Sequence, residues 1–328
     1  MTKLSVVIAM YNDEKYIERC LNSLVNQTNK DFDIICVDDA STDDTVSKCS
    51  AFLDQLPITI FRMPHNSGLS AVRQKGLFLS NCDYISFVDA DDELASNYVE
   101  VAIDTMSSNH CDVCIFGVIY KYTKTINSPF HKTETKQISF EDIEHSFKEV
   151  VYECHLSDSW DKVYRKQFIL DSNVSFCMDQ GINGSDSLFN KMLFMHNPIV
   201  SFINEPLYIH YSNPNSMVTR PNKDFVKMAI TMVERLNSEA ELLKYKNVRQ
   251  YNLMLFYSIL RSDFINKIAN KEMFNSSICR SKEYINTHSE LRDKVVLNKS
   301  LTVFQYVLLK RTWLVKLYLR IYRILKKR

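Results

Sequence analysis

Between residues 4 and 92 the chain alternates unbroken apolar runs with stretches whose apolar residues recur every three or four positions. Residues 4–10, LSVVIAM, are continuous and β-branched, as in a strand buried on both faces. The next stretch, NDEKYIERCLNSLVNQT, spaces Tyr16, Ile17, Cys20, Leu21, Leu24 and Val25 along one side of a helix. FDIICVDDAST predicts a second strand, closed by Asp38 and Asp39. STDDTVSKCSAFL opens on capping residues and continues as a helix. ITIFRM is a third strand, HNSGLSAVRQKGLFLS a glycine-containing loop entering a helix, and DYISFVDADD a fourth strand. Four alternations in about 90 residues predict an α/β fold with a parallel sheet. Further on, DFVKMAITMVERLNSEAELLKY and YNLMLFYSILRSDFINKI read as amphipathic helices within residues 222–300.

Composition adds order and compartment. The chain has 328 residues, 45% of them hydrophobic, with 5 Gly and 7 Pro, which suits a globular protein. Nine cysteines are irregularly spaced. Cys111 and Cys114 form one C-x-x-C with no second pair, inside the apolar run CDVCIFGV, so they read as structural thiols of a reducing compartment. The start of the chain lacks a signal-peptide layout, and no stretch offers 18 apolar residues free of charge. These features predict a cytoplasmic protein without a transmembrane span.

Charge sharpens two regions. FVDADDEL, residues 87–94, crowds Asp89, Asp91, Asp92 and Glu93 at the end of an apolar strand. Neighbouring carboxylates repel, so a positive group is expected among them. Ligands of open α/β sheets bind beyond the carboxyl ends of the strands, which draws Asp39, Asp89 and Asp91 toward one crevice. No G-x-G-x-x-G follows the first strand and no P-loop is present. A nucleotide here would therefore have its phosphates neutralised by Mg²⁺ or Mn²⁺ on Asp89 and Asp91, the expected positive group.

The second region is the tail. Residues 294–328 hold ten of the 40 Lys and Arg and no acid, leaving residues 1–293 at −9. In FQYVLLKRTWLVKLYLRIYRILKKR, Trp313 and Leu317 fall on an apolar face, and Arg320, Arg323 and Lys327 on a basic one. That pattern predicts a helix of about residues 303–328 lying on an anionic membrane surface. Packing on the domain is its rival. Nucleic acid is not expected as a partner, because basic charge is otherwise lacking.

Four blocks now carry a resemblance. SVVIAMYNDEKYIERCLNSLVNQT, IICVDDASTDDT, NSGLSAVRQKGL and YISFVDADD resemble, in order and spacing, the motifs of family 2 glycosyltransferases of the bacterial surface-polysaccharide type. The resemblance implies the GT-A fold: Rossmann-like, α/β, with a mostly parallel central sheet flanked by helices. It fades after residue 120. It implies a catalytic domain over residues 1–220, with nucleotide-sugar binding in 1–100 and the acceptor side in 101–220. A helical region, 221–328, would follow.

By this resemblance the nucleotide-sugar contacts are Ala9, Tyr11, Asp39, Asn66, Arg73, Asp89 and Ala90. Asp39 would accept from the uracil N3–H, Tyr11 pack near the base, and Arg73 lie near the phosphates. Asp91 with Asp89 would hold the metal, Mn²⁺ or Mg²⁺, with His210 a candidate further ligand. Asp92 matches a third acid of variable role. Ala9 stands where proline is usual, and Val72 and Gln74 where alanine and asparagine are. In SDSWDKVYRKQFILDSNVSFCMDQGINGSDSLFNKMLF the usual Glu-Asp pair reads Ser185-Asp186. Asp186 is then the general base of an inverting transfer, with Asp179 and Asp158 behind it. Lys162 and Arg165 divide between fold surface and phosphate contact.

The implied activity moves a sugar from a UDP-sugar to a hydroxyl of a lipid-linked or growing glycan at the cytoplasmic face of the bacterial inner membrane. The helices of residues 222–300 can brace the acceptor groove or mediate self-association. A non-catalytic nucleotide-sugar-binding subunit is the alternative from another class, and metal-dependent nucleotidyl transfer a third.

Overall fold

The structure is a computed structural model. It describes residues 3–121, 125–127, 133–139, 154–176, 185–211, 213, 225–245 and 271–287, with positions 256, 257, 260, 304, 305, 308 and 315. The described residues form two compact units, one ending at Asn213 and one beginning at Phe225.

In the first unit, β1 (Leu4–Met10), β2 (Phe32–Asp38), β3 (Ile58–Arg62) and β4 (Tyr84–Asp89) lie parallel in the order β3-β2-β1-β4. Helices α1 (Ile17–Val25), α2 (Thr45–Ser50) and α3 (Leu69–Leu79) connect them, as the periodicity predicts. Ile17, Cys20, Leu21 and Leu24 of α1 share a buried core with Val6, Ile8, Ile34, Cys36 and Val88 of the strands. Helix α3 approaches β1 closely at Gly76. A Cβ there would sit 2.2 Å from Val7 Cγ1, so only hydrogen fits.

Past β4 the chain adds β5 (Glu93–Leu94), α4 (Tyr98–Asn109), β6 (Val113–Tyr120), β7 (Thr125–Asn127), β8 (Glu134–Gln137), β9 (Lys162–Arg165), α5 (Lys166–Asp171), α6 (Ser185–Phe194) and β10 (Ile199–His210). Strand β9 runs antiparallel between β4 and β6. Strand β10 is parallel to β6 and antiparallel to β5 and β8. The sheet is therefore mixed. The parallel reading holds for β1–β4 and for the β6–β10 pair, where helical crossovers dictate it; β9 follows no such crossover from β4. Cys111 and Cys114 are buried thiols, and burial pushes both upward.

In the second unit, α7 (Phe225–Leu242) buries Val226, Ala229, Met232, Val233, Leu236 and Ala240, the stripe its sequence announces. Helix α8 (Lys271–Thr287) sends the Tyr284 hydroxyl to Glu234, 3.4 Å away, and its ring toward Phe256. Of the tail, Phe304, Gln305, Leu308 and Val315 are described, and all four are buried. Trp313, Leu317, Arg320, Arg323 and Lys327 lie outside the described residues. Among the described residues, no helix is long and apolar enough to cross a membrane.

Candidate active site

Three parallel strands end side by side, and their registers set the floor of the site. Ala9 of β1 is level with Val37 of β2 and Asp89 of β4. Asp38 and Asp39, adjacent in sequence, point to different partners. The buried Asp38 carboxylate accepts from the Ser41 N–H and pairs with Arg62 at 3.3 Å. Asp39 accepts from the N–H groups of Ser67 and Gly68, at 2.7 and 2.8 Å. It thereby ties the end of β2 to the loop before α3, where Gly68 supplies a φ of 85°. An ionised carboxylate has about four acceptor sites, so this tether leaves room for a ligand N–H. Tyr11 is 47% exposed, Asn66 is exposed, and Ala90 is buried.

Arg73 is held by carboxylates within the protein. Its side chain is 1% exposed. One Nη donates to Asp89 Oδ1 at 2.6 Å and the other to Asp186 Oδ2. Two carboxylates 97 positions apart in the chain are thus joined by one fork, which a planar guanidinium suits. Burial alone would pull Arg73 down, but Asp186 and Asp89 outweigh it and the net shift is upward. Arg73 is thus committed to carboxylates rather than open to a phosphate. Gly76, three residues on, lets α3 sit low enough for that reach.

The acidic turn finds much of its positive charge within the protein. Asp89 has Arg73, Asp92 has His210 at 3.0 Å, and Glu93 has Arg19 at 3.3 Å. The sequence reading assigned this role to a metal ion alone. His210, the candidate further ligand, is engaged within the protein: its Nδ1 meets Asp92, and its ring stacks on Trp160 at 5.2 Å and 5°. Burial pulls His210 down, yet the bond to Asp92 and the surrounding carboxylates raise it on balance.

A surplus of negative charge nevertheless remains. Burial first, then mutual repulsion, holds Asp13, Asp89, Asp91 and Asp92 above the usual carboxylate range, with Asp13 pushed up to about 7. Among the described residues, no three His, Cys, Asp or Glu side chains are grouped to hold a metal by themselves. Asp91, part-buried, accepts from Asn213 on one oxygen at 2.9 Å. One or two carboxylates in a negative pocket fit a hard cation whose remaining ligands are phosphate oxygens and water. The donor set thus suits Mg²⁺ or Mn²⁺ held jointly with a diphosphate.

Asp186 lies in the first turn of α6, with its side chain 13% exposed. The helix is placed by its next turn. Phe189 stacks on Phe176 at 4.1 Å, and Asn190 bonds the Tyr164 hydroxyl, the Asp158 carbonyl and Ser159. A second polar cluster lies against α6. Lys162, wholly buried, donates to the carbonyls of His155 and Asp158 and to Asp161. Arg165 pairs with Asp112 at the opposite end of the sheet, level with Tyr84. Neither cation is a phosphate contact; both are structural. Asp158, the runner-up base, is pushed up to about 7 by burial and by Asp161. Asp179 lies outside the described residues, and of Ser185 only its place at the start of α6 is described.

Sequence reasoning missed Asp13, Arg19, Tyr208, Trp160 and Asn213, all of which meet the acidic turn or its partners. Trp160 carried a signal, being one of only 2 tryptophans and adjacent to an Asp-Lys pair.

Comparison with known proteins follows the same outline. A family profile described as Glycosyl transferase family 2 matches residues 5–179. The glycosyltransferase GlyA of Streptococcus pneumoniae is 27% identical over 224 residues, 66% of this chain but only 31% of GlyA. The chain therefore spans under a third of that relative's length. The putative glycosyltransferase EpsH of Bacillus subtilis is 29% identical over 268 residues, 78% of this chain and 75% of EpsH. The crystal structure of Staphylococcus aureus TarS residues 1–349 superposes with a TM-score of 0.73, covering 98% of this chain and 91% of that one. The same TarS segment has been solved with UDP-GlcNAc, again at 0.73. Identity to TarS is 20%, so this likeness concerns the fold, which is GT-A.

Proposed function

The chain belongs to glycosyl transferase family 2, and from that premise we propose that it moves a sugar, with inversion, from a UDP-sugar to a hydroxyl of a lipid-linked or growing bacterial surface glycan. One observation carries this reading. Buried Arg73 joins Asp186 to Asp89, bringing a candidate base beside the first acid of the D-x-D turn. The parallel strands supply the donor side. Tyr11 is exposed for stacking on the base, and Asp39 retains acceptor capacity for the uracil N3–H.

The chemistry is a single displacement. The acceptor oxygen attacks the anomeric carbon from the face opposite the diphosphate. The new C–O bond forms as the bond to the β-phosphate oxygen breaks, and UDP departs with that electron pair. Asp186 takes the hydroxyl proton, and Arg73 fixes where its carboxylate points. A bound Mn²⁺ or Mg²⁺, held by Asp91 with Asp89, would neutralise the departing diphosphate.

The relatives support the donor and acceptor classes. TarS is named as a poly(ribitol-phosphate) β-N-acetylglucosaminyltransferase and has been solved with UDP-GlcNAc. The composition of the basic tail supports a place at the cytoplasmic face of the plasma membrane, where Trp313, Leu317, Arg320, Arg323 and Lys327 would meet anionic lipid.

The test is UDP release from a panel of UDP-sugars, with Mn²⁺ present and then chelated. Metal-dependent turnover of one donor, lost in Asp91→Ala and Asp186→Asn, is expected. Nucleotide binding without turnover of any donor, even with a lipid-extract acceptor, would favour a non-catalytic subunit instead.

A further inference from the structure

Asp92 follows the D-x-D and is the most enclosed acid of the turn. Its side chain is wholly buried and both oxygens are taken. Oδ2 receives the Tyr208 hydroxyl at 2.8 Å and His210 Nδ1 at 3.0 Å. Oδ1 receives the Tyr211 main-chain N–H at 2.8 Å. All three donors come from residues 208–211, the end of β10 and the residue after it. The Tyr208 oxygen also accepts from the Asp89 N–H at 3.2 Å, so one hydroxyl touches both ends of the turn. The Asp92 N–H closes the turn onto the Asp89 carbonyl at 3.1 Å.

Asp91 sits between these two anchored residues. Asn213, two positions beyond Tyr211, holds its carboxylate, and Arg19 holds its carbonyl. The donors are themselves immobilised. Trp160 lies against the Tyr208 ring at 4.8 Å and stacks on His210, while Tyr120 meets the His210 ring edge-on at 5.5 Å.

We propose that Asp92 is a positioning residue, the post by which the turn carrying Asp89 and Asp91 hangs from the end of β10 through Tyr208, His210 and Tyr211. It is not a third ligand for the donor: its side chain is wholly buried, and both oxygens already accept from protein donors. The turn has no regular ladder of its own beyond the two residues of β5. Its conformation therefore depends on this clamp, and so does the direction of Asp91. The role in catalysis rests on the transferase reading above; the clamp itself does not.

Tyr208→Phe, His210→Ala, His210→Gln, Asp92→Asn and the Asp92→Asn/His210→Ala double variant test it. Two readouts are needed. The first is amide hydrogen exchange of the segment 87–94, which requires no turnover. Faster exchange in Tyr208→Phe and His210→Ala, at melting temperatures near that of wild type, is expected. Unchanged exchange in both would overturn the clamp, whatever the enzyme does. The second is UDP-sugar turnover against Mn²⁺ concentration. Each single variant should lower kcat by about 10–100-fold, as loss of supporting contacts around a metal does. The double variant should be no worse than its worse single, because both remove the same support. His210→Gln, which restores a side-chain N–H, should recover part of the loss. If Asp92→Asn abolishes turnover while Tyr208→Phe and His210→Ala leave rate and Mn²⁺ requirement intact, Asp92 acts directly and the proposal fails. A wild type inactive on every UDP-sugar would refute the transferase reading while the exchange result stands.

Discussion

Two polar clusters lie within the first unit, and they are built oppositely. Around the D-x-D turn, Asp13, Asp89, Asp91, Asp92 and Asp186 face few cations, chiefly Arg73 and His210. Beneath α6, Lys162 and Lys191 balance Asp158 and Asp161 more evenly, and main-chain carbonyls take up the spare N–H groups. Both hold groups with displaced pKa values, so displacement alone does not mark a site. What separates them is charge balance. In the second cluster the ammonium groups end on main-chain and side-chain oxygens beside them, whereas the surplus carboxylates at the strand ends are relieved by a proton or a visiting cation.

The contrast predicts that changes in the first cluster cost rate and changes in the second cost stability. Asp186→Asn should lower kcat by about 10²–10⁴-fold, the usual contribution of a general base, with a smaller loss of stability, because the Asn side-chain oxygen can still accept from Arg73 and Asp89 keeps that cation paired. Steady-state UDP release and a thermal scan on one sample check both halves. Lys162→Met should do the reverse. It leaves buried Asp161 without its cation, and breaking such a pair costs about 3–5 kcal/mol, read by urea titration.

Gly76→Ala crosses the divide. The added methyl meets Val7 and should cost about 1–3 kcal/mol by overpacking. It also tilts the helix that carries Arg73, so turnover falls as well. Full activity in a destabilised Gly76→Ala protein would show that the Arg73 bridge tolerates displacement.

The smallest effect is a gain. Asp158 is pushed up to about 7 in the fold. Below pH 3.8 both folded and unfolded chains carry its proton, so it does not affect stability. Between there and about 7 the unfolded chain releases the proton first and stability falls; above 7 the loss is complete. Asp158→Asn should therefore stabilise at pH 8, with the gain gone near pH 4. A gain of equal size at both pH values would place its origin elsewhere.

Much of the donor half was legible because its signals are local. The runs at 4–10, 32–38, 58–62 and 84–89 are continuous, the helices between them periodic, and strand ends place Asp39 and Asp89 by topology alone. The bridge between Arg73 and Asp186 spans 113 positions, and Asp92 finds partners 116–119 positions away. No period or spacing encodes such a contact. Motif matching selected Arg73 and His210 but not their pairing with the carboxylates that hold them, Asp89 and Asp186 for the one and Asp92 for the other. It had no means of selecting Trp160 or Tyr208, whose role is to immobilise other side chains.

The four-residue strand β9 carries a burden out of proportion to its length. Among the described strands, hydrogen bonding between β4 and β6 passes only through it. The quartet β3-β2-β1-β4 is complete once residue 89 has been made, but its open edge waits for residues 162–165. At about 5–20 residues per second that wait is about 4–15 s on the ribosome. An unpaired strand edge invites pairing with other chains. Ile85 and Ser86, later covered by Tyr164 and Val163, therefore form the stretch of the nascent chain most in need of protection during synthesis.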